Sequence, residues 1–157
     1  MKFAKKDFSE YWKIIKIPSY VLIGWSLIAL IISIASFSMY ITIFSPWSNW
    51  ILTIAVFSFI GWTAIKDHKE TIKVASWAGA LTGLITGLIG AVFGIIMFYL
   101  VPEVIQAAVA QAGVNAEAVQ SYMKIGIYIG LITGPLVSAL IGALISAIAA
   151  LIAKKIK

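Results

Sequence analysis

The sequence predicts an all-α integral membrane protein: a bundle of four transmembrane helices, an N-terminal interfacial amphipathic helix, and a short outer helical hairpin between spans 3 and 4. Three observations predict it. Of the 157 residues, 62% are hydrophobic and only 11% are charged, whereas soluble domains are about half apolar and a quarter charged. Four stretches approach or exceed the roughly 20 apolar residues that a helix needs to cross a bilayer. Lysines cluster at alternate ends of these stretches.

The four predicted spans contain no acidic residue, lysine or histidine; they cover residues 19–43, 47–65, 74–101 and 125–153. The second is the shortest, about 28 Å at a rise of ~1.5 Å per residue. Only helices are expected here, because a lone strand would leave its backbone groups unpaired in lipid. The first span is too long for the core of a cleaved signal peptide, so we expect a retained anchor. The length allows a single membrane domain over residues 1–157.

Charge placement predicts that both termini of this multi-pass protein are cytoplasmic. Eleven of the twelve lysines flank the spans on one side, and only Lys124 lies on the other. Cytoplasmic loops carry the lysine excess, so we expect this side to face an anionic inner leaflet, in the plasma membrane of a prokaryote. The lysines act as inside anchors and form no separate basic domain, which argues against a nucleic-acid partner. The final residues, 154–157, also resemble a dilysine retrieval signal of the eukaryotic endoplasmic reticulum.

Residues 7–17 are predicted to form the interfacial helix. Its apolar residues recur at helical spacing on one face, and these are Phe8, Tyr11, Trp12 and Ile15. Lysines occupy another face, and Pro18 is expected to end the segment. This pattern is typical of a helix that lies on the cytoplasmic membrane surface; the alternative is a docking helix for a cytoplasmic partner.

The long connection at residues 102–122 is predicted to be the outer helical insert. Apolar residues follow one face of a first helical piece, and Gly113 suits its end. Asn115 can then cap a second piece, which we expect to run straight into span 4. The insert is expected to fold back over the outer end of the bundle as a connector, or alternatively as a lid or a subunit contact.

Small residues recur at every fourth position in spans 3 and 4. Because the hydrophobic effect does not drive helices together within lipid, transmembrane helices associate by close packing over such small residues. We therefore expect the two antiparallel spans to pack along these stripes with a right-handed crossing, unless one stripe faces a second subunit. Gly87 and Gly90 are expected near Gly134 and Ser138, and leucine at Gly87 or Gly130 should be disruptive, whereas leucine at Ser36 should be mild. The full set of predicted helix-packing residues is Gly79, Gly83, Gly87, Gly90, Gly94, Gly126, Gly130, Gly134, Ser138 and Gly142.

Thr86, Thr133 and Pro135 are the candidates for a polar path along this seam. Proline cannot donate a backbone hydrogen bond, so we expect a kink in span 4 at Pro135. Transporters use unwound Gly/Pro segments at mid-depth, but usually in paired halves. Spans 1 and 2 show no matching element, which favours a simple kink.

The sequence predicts no catalytic residue, metal site or cofactor. The spans carry no ionisable residue, which is the usual marker of a proton relay in a membrane. The chain has no phosphate-binding loop and no zinc motif, and His68 lies in a charged segment typical of a solvated turn. We therefore expect the protein not to be an enzyme.

The order of parts resembles that of small, uncharacterised four-span membrane proteins of bacteria and archaea. The shared features are a lysine-rich start, a charged inner loop at 66–73, Ala-Gly-Ala-Leu-Thr-Gly-Leu-Ile-Thr-Gly at 78–87, and Tyr-Leu-Val-Pro-Glu at 99–103. The resemblance implies no particular activity. The spans have many small residues suited to helix packing and no ionisable residue. This combination favours an accessory or scaffold subunit that contacts a membrane-protein partner or a second copy of itself. The alternative is a small oligomeric channel or facilitator with a path along the Gly/Thr seam of spans 3 and 4.

Overall fold

The computed structural model describes residues 2–3, 6–112 and 116–156 of the chain. Within these ranges two short strands, β1 (Lys2–Phe3) and β2 (Lys6–Asp7), pair antiparallel. Six helices follow: α1 (Phe8–Ala35), α2 (Phe37–Ile43), α3 (Pro46–Lys66), α4 (Ile72–Leu100), α5 (Pro102–Ala112) and α6 (Ala116–Lys155). Of these, α1, α3, α4 and α6 are long and apolar enough to cross a membrane. The predicted helical architecture with four such helices is confirmed.

Local side-chain chemistry explains where the helices begin. Ser45 and Thr71 precede α3 and α4, and their hydroxyls accept hydrogen bonds from backbone N–H groups of the first turn. At the start of α1, the Glu10 carboxylate accepts the backbone N–H of Asp7 at 2.9 Å. These contacts satisfy N–H groups that have no partner within the helix.

Two polar contacts hold one end of the bundle together. The Lys6 ammonium donates to the Glu70 carboxylate at 2.6 Å, which joins β2 to the α3–α4 connection. The Lys66 ammonium donates to the Ile156 carbonyl and so joins the end of α3 to the end of α6. We call this the lysine-rich end, and the opposite end, which carries α2 and α5, the distal end.

The hydrophobic core lies in the half of the bundle next to the lysine-rich end. Side chains from α1, α3, α4 and α6 meet there without exposure to the surroundings. The fully enclosed members are Tyr11, Ile15, Ile60, Ala64, Ala75, Ala78 and Ala150. All of these residues on α4 and α6 are alanines, so the helix backbones approach each other closely.

The structure differs from the sequence prediction at Pro18, which does not end a separate helix. Residues 8–17 are the first turns of α1, which continues through Pro18 to Ala35. Tyr11 and Ile15 are fully buried in the core, whereas Phe8 is 48% exposed, so protein covers part of the predicted apolar face. The helix continues because a chain entering lipid keeps its remaining backbone hydrogen bonds internal.

Predicted span 1 is also not one helix from residue 19 to residue 43. Ser36 has an extended backbone (φ −160°, ψ 103°) that separates α1 from α2. The rings of Trp25 and Phe44 lie 4.7 Å apart between centroids, whereas a continuous helix would separate these positions by roughly 28 Å. The short helix α2 therefore turns back along α1, and α3 starts at about the level of Trp25.

Polar side chains next to the break make this turn possible. The hydroxyl of Ser48 donates to the Ile43 carbonyl at 2.9 Å, and the amide of Asn49 donates to the Phe44 carbonyl at 3.3 Å. The Ser36 hydroxyl accepts from the backbone of Met39 at 3.4 Å. Backbone groups freed by the break thus have partners, as an apolar environment requires.

Helix α6 runs without interruption from Ala116 through Pro135 to Lys155. It therefore contains both the second part of the predicted insert and the whole of predicted span 4. Helix α5 forms the first part of the insert. The predicted helix stop at Gly113 and cap at Asn115 lie outside the described residues.

Candidate functional site

Three glycines of α4 lie directly against the backbone of α6. A Cβ atom built on Gly79 would be 2.7 Å from the carbonyl carbon of Gly142. On Gly83 it would be 2.6 Å from the carbonyl carbon of Ser138, and on Gly87 it would be 2.7 Å from the Cα of Pro135. Real Cβ atoms essentially never come closer than 3.0 Å to such neighbours. Only glycine therefore permits this approach of α4 to α6.

A second face of α6 packs against α3 in the same way. A Cβ on Gly61 would be 2.9 Å from the Cβ of Ala149. The buried hydroxyl of Ser146 donates to the Phe57 carbonyl at 2.9 Å. Sequence reasoning missed Gly61, because the positions four residues before and after it are Phe57 and Ile65 rather than small residues.

The remaining predicted glycines make no such contact. A Cβ atom built on any of them would have no described neighbour within 4 Å, apart from the adjacent residues and nearby backbone of the same helix. These glycines are Gly90, Gly94, Gly126, Gly130 and Gly134. Gly87 contacts Ser138, as the sequence predicts from their equal depth in the two antiparallel spans, but Gly90 does not contact Gly134. The small-residue stripe is therefore in close contact only in its lysine-rich half.

Beyond this contact, residues of the four long helices line a cavity of about 600 Å³ in the distal half of the bundle, and the cavity is open on one side. Four of the open glycines line it, namely Gly90, Gly94, Gly130 and Gly134. Their lack of side chains leaves this space. The other lining residues include the polar Ser26, Asn49, Thr53, Thr86 and Ser138, and the apolar Leu22, Trp25, Pro46, Trp50, Leu52, Phe57, Ile127, Leu131 and Ile141. We call this space the distal cavity.

A hydrogen bond between Trp25 and Asn49 fixes one wall of the distal cavity. The indole N–H of Trp25 donates to the Asn49 side-chain oxygen at 2.8 Å. The Asn49 amide in turn donates to the Phe44 carbonyl. This link connects α1, the end of the α2 turn, and α3. Trp25 therefore packs between helices, where its N–H has a partner as buried indoles usually do.

The hydroxyls on the cavity wall fall into two groups. Ser26 and Thr86 donate to carbonyls of their own helices, each at 2.9 Å. Thr53 and Ser138 have no hydrogen bond to any residue that the structure describes. Hydroxyls on helices in apolar surroundings usually donate to a carbonyl of the preceding turn, and Thr53 and Ser138, both partly buried, differ from Ser26 and Thr86 in this respect.

The three residues proposed for a polar path do not line one passage. Thr86 faces the distal cavity. Thr133 is exposed on the outside of α6 and donates to the Ile129 carbonyl of its own helix. Pro135 is buried beside Gly87 and is not part of the cavity wall. The stripe of α6 winds around the helix, since steps of four residues drift by about 40° each, and Thr133 consequently faces away.

Charge is confined to the ends of the helices in the part of the chain that is described. The wall of the distal cavity includes no aspartate, glutamate, lysine or histidine among these residues. No group of three metal-ligating side chains occurs among them either, and His68 lies exposed in the α3–α4 connection. At the lysine-rich end, the hydrogen bond to Glu70 raises the pKa of Lys6 above its usual 10.5.

Comparisons of the chain with protein-family models, with curated proteins and with solved structures found no match. The resemblance to small four-span proteins of bacteria and archaea therefore stays a prediction. What the protein does is accordingly inferred from its own geometry.

Proposed function

We propose that the protein is a non-enzymatic integral membrane protein that serves as an accessory or scaffold subunit of a larger membrane assembly. Its lysine-rich end faces the cytoplasm, because positively charged segments remain on that side. Exposed lysines there, such as Lys13, Lys16 and Lys73, suit contact with anionic headgroups. A prokaryotic plasma membrane is part of this proposal, in line with the resemblance predicted from the order of parts in the sequence.

The observation that carries this proposal is the closed packing of the lysine-rich half. Backbone contacts at Gly79, Gly83 and Gly61 hold α4, α6 and α3 together, and the core beside them is fully enclosed. The distal cavity ends at this packed region, so it does not continue across the bundle. A rigid bundle without a through-path suits a structural role better than conduction.

The outer surface of α6 offers an apolar face for a partner helix or for lipid. Large side chains are exposed at every fourth position, and they are Leu136, Leu140, Leu144 and Ile148. Two helices in a membrane associate through side-chain packing and hydrogen bonds rather than through the hydrophobic effect. This regular face supports the expectation of a membrane-protein partner or of self-association.

The alternative is a small oligomeric channel or facilitator, and the distal cavity is the observation that favours it. Thr86 and Ser138 place hydroxyls on its wall near the middle of α4 and α6. Conduction would require the contacts below them, at Gly83 and Gly79, to separate. A transport cycle that moved α4 away from α6 would provide such an opening.

Purification from native membranes distinguishes the two. The tagged protein is extracted in a mild detergent, and the retained proteins are identified and quantified. A partner in fixed ratio to the tagged chain supports the scaffold proposal, whereas a lone homo-oligomer that conducts solute in vesicles contradicts it and supports the channel. The control is the same chain with Gly83→Leu, which should not fold correctly; a protein retained by both chains is nonspecific.

A further inference from the structure

We propose that the distal cavity binds an uncharged single-chain lipid with a hydroxyl-bearing head, of the monoacylglycerol type, which enters from the surrounding bilayer. This inference goes beyond the proposed function, because a scaffold role does not require a ligand. It is based on the size of the cavity, on its position, and on the chemistry of its wall.

The size of the distal cavity fits a ligand site. Small-molecule sites usually enclose about 300–1,000 Å³, with mostly apolar walls and a few polar groups. The distal cavity measures about 600 Å³, and most of its lining residues are apolar. A lipid chain that fills this space would add packing contacts to its walls.

The position of the cavity indicates that the occupant comes from the bilayer. Trp50 and Leu131 line the cavity but remain 50% and 38% exposed, and Gly90 is also exposed. The cavity thus opens at the side of the bundle. These positions belong to α3, α4 and α6, three of the helices that are long and apolar enough to cross a membrane, so the opening faces the lipid that would surround a membrane-spanning bundle.

The wall chemistry indicates a head group that both donates and accepts hydrogen bonds. Thr53 and Ser138 have hydroxyls without a partner among the described residues, so each can donate once and accept. Ser26 and Thr86 already donate their protons to their own helices, and they retain lone pairs for a donor on the ligand. Ligand hydroxyl groups match both kinds of site, whereas a plain hydrocarbon would leave Thr53 and Ser138 unpaired at a free-energy cost.

The absence of charge from the described wall excludes an ionised head group as the preferred ligand. A carboxylate or phosphate in this space would have no opposite charge within the wall. Burial of an unpaired ion is far more costly than burial of a hydrogen-bonded hydroxyl. The ligand is therefore a neutral lipid, in contrast to the anionic lipids that suit the lysine-rich end.

The test uses the glycerol monoester of dibromostearic acid as the probe. Its bromine atoms quench tryptophan fluorescence at short range, and Trp25 and Trp50 both line the cavity. The purified full chain in detergent is titrated with the probe. We expect a saturable quenching component at one probe per chain; quenching that only grows linearly with probe concentration, as for simple partition into the micelle, overturns the proposal.

Matched glycine variants locate the site. Gly90→Leu and Gly130→Leu place side chains into the cavity from two different helices, and neither position has a neighbour within 4 Å for a Cβ to strike. Gly126→Leu, one turn from Gly130, is equally free of neighbours but does not line the cavity. We expect at least a tenfold loss of probe affinity in the first two variants and none in the control. Equal affinity in all three, with unchanged helicity by circular dichroism, overturns the assignment of the site.

The role of the hydroxyls is tested separately. The wild-type chain should bind the glycerol monoester more tightly than the methyl ester of the same brominated acid. The double variant Thr53→Val, Ser138→Ala should lose most of this preference while still binding the methyl ester. If the preference is unchanged in the double variant, the head-group part of the proposal is wrong.

Discussion

Alanine at Gly83 and alanine at Gly130 are expected to change the stability of the protein in opposite directions, although both glycines belong to the same four-residue pattern. At Gly83 the added carbon would lie 2.6 Å from the carbonyl carbon of Ser138 and 2.8 Å from the nitrogen of Ala139. Carbon contacts are optimal at about 3.5–4.0 Å, so α4 and α6 would have to separate locally by about 1 Å. At Gly130 no described neighbour lies within 4 Å, so the disruption that the sequence pattern predicts for a larger residue there is no longer expected.

The magnitudes follow from these distances. Overpacking a close contact typically costs about 1–3 kcal/mol, and the neighbour at Gly83 is backbone, which cannot rotate away. Replacing glycine by alanine within a helix gains about 0.5–1 kcal/mol in either case. Gly83→Ala should therefore lower the free energy of unfolding by about 1 kcal/mol, and Gly130→Ala should raise it by somewhat less. The two variants should differ by about 2 kcal/mol.

The assay is reversible unfolding by sodium dodecyl sulfate in mixed micelles, followed by circular dichroism. Gly126→Ala is the control for intrinsic helix propensity, since Gly126 also has open surroundings, and it should match Gly130→Ala. If Gly83→Ala is as stable as Gly130→Ala or more stable, the close contact of α4 with α6 is wrong.

Three further outcomes are expected. Ser146→Ala should destabilise the protein by about 0.5–1 kcal/mol in the same unfolding assay, because it removes the hydrogen bond to the Phe57 carbonyl and interhelical hydrogen bonds in membranes average ~0.6 kcal/mol. An unchanged free energy of unfolding would contradict the α3–α6 contact. Ser36→Leu, expected from the sequence to be mild, should instead cost about 0.5–2 kcal/mol because it removes the cap on α2. A neutral effect would indicate that span 1 continues as one helix. The pKa of Lys6 is raised in the folded state, so its bond to Glu70 stabilises the fold below about pH 10.5, and this contribution disappears as the pH rises through the folded pKa. Lys6→Met should therefore flatten that part of the curve of unfolding free energy against pH. An unaltered curve would argue against the bond.

The number and approximate positions of the apolar helices could be predicted from the sequence, because bilayer thickness sets a length that few other structures require. Helices α3 and α4 begin within two residues of the predicted spans, at Pro46 and Ile72. The break at Ser36 could not be predicted in this way. Residues on both sides of it are apolar, and the groups that satisfy the broken backbone include Ser48 and Asn49, which come later in the chain.

The candidate site was predictable only in part for a related reason. Four-residue spacing identifies glycines that lie on one winding stripe, but it does not show how far along the stripe two helices stay in contact. The contact ends near Gly87, and the same residue type forms a tight seam at Gly83 and an open wall at Gly130. Thr133 was assigned to the seam by sequence proximity, yet the winding of the stripe turns it outward.

The most direct test of the account measures whether the packed half of the bundle closes the path through the membrane. The purified protein is reconstituted into liposomes that enclose a pH-sensitive dye, and an acid gradient is imposed. Since the contacts at Gly79 and Gly83 close the bundle below the distal cavity, the gradient should decay no faster than in liposomes without protein. A decay that accelerates in proportion to the amount of reconstituted protein would contradict the closed bundle and favour the facilitator.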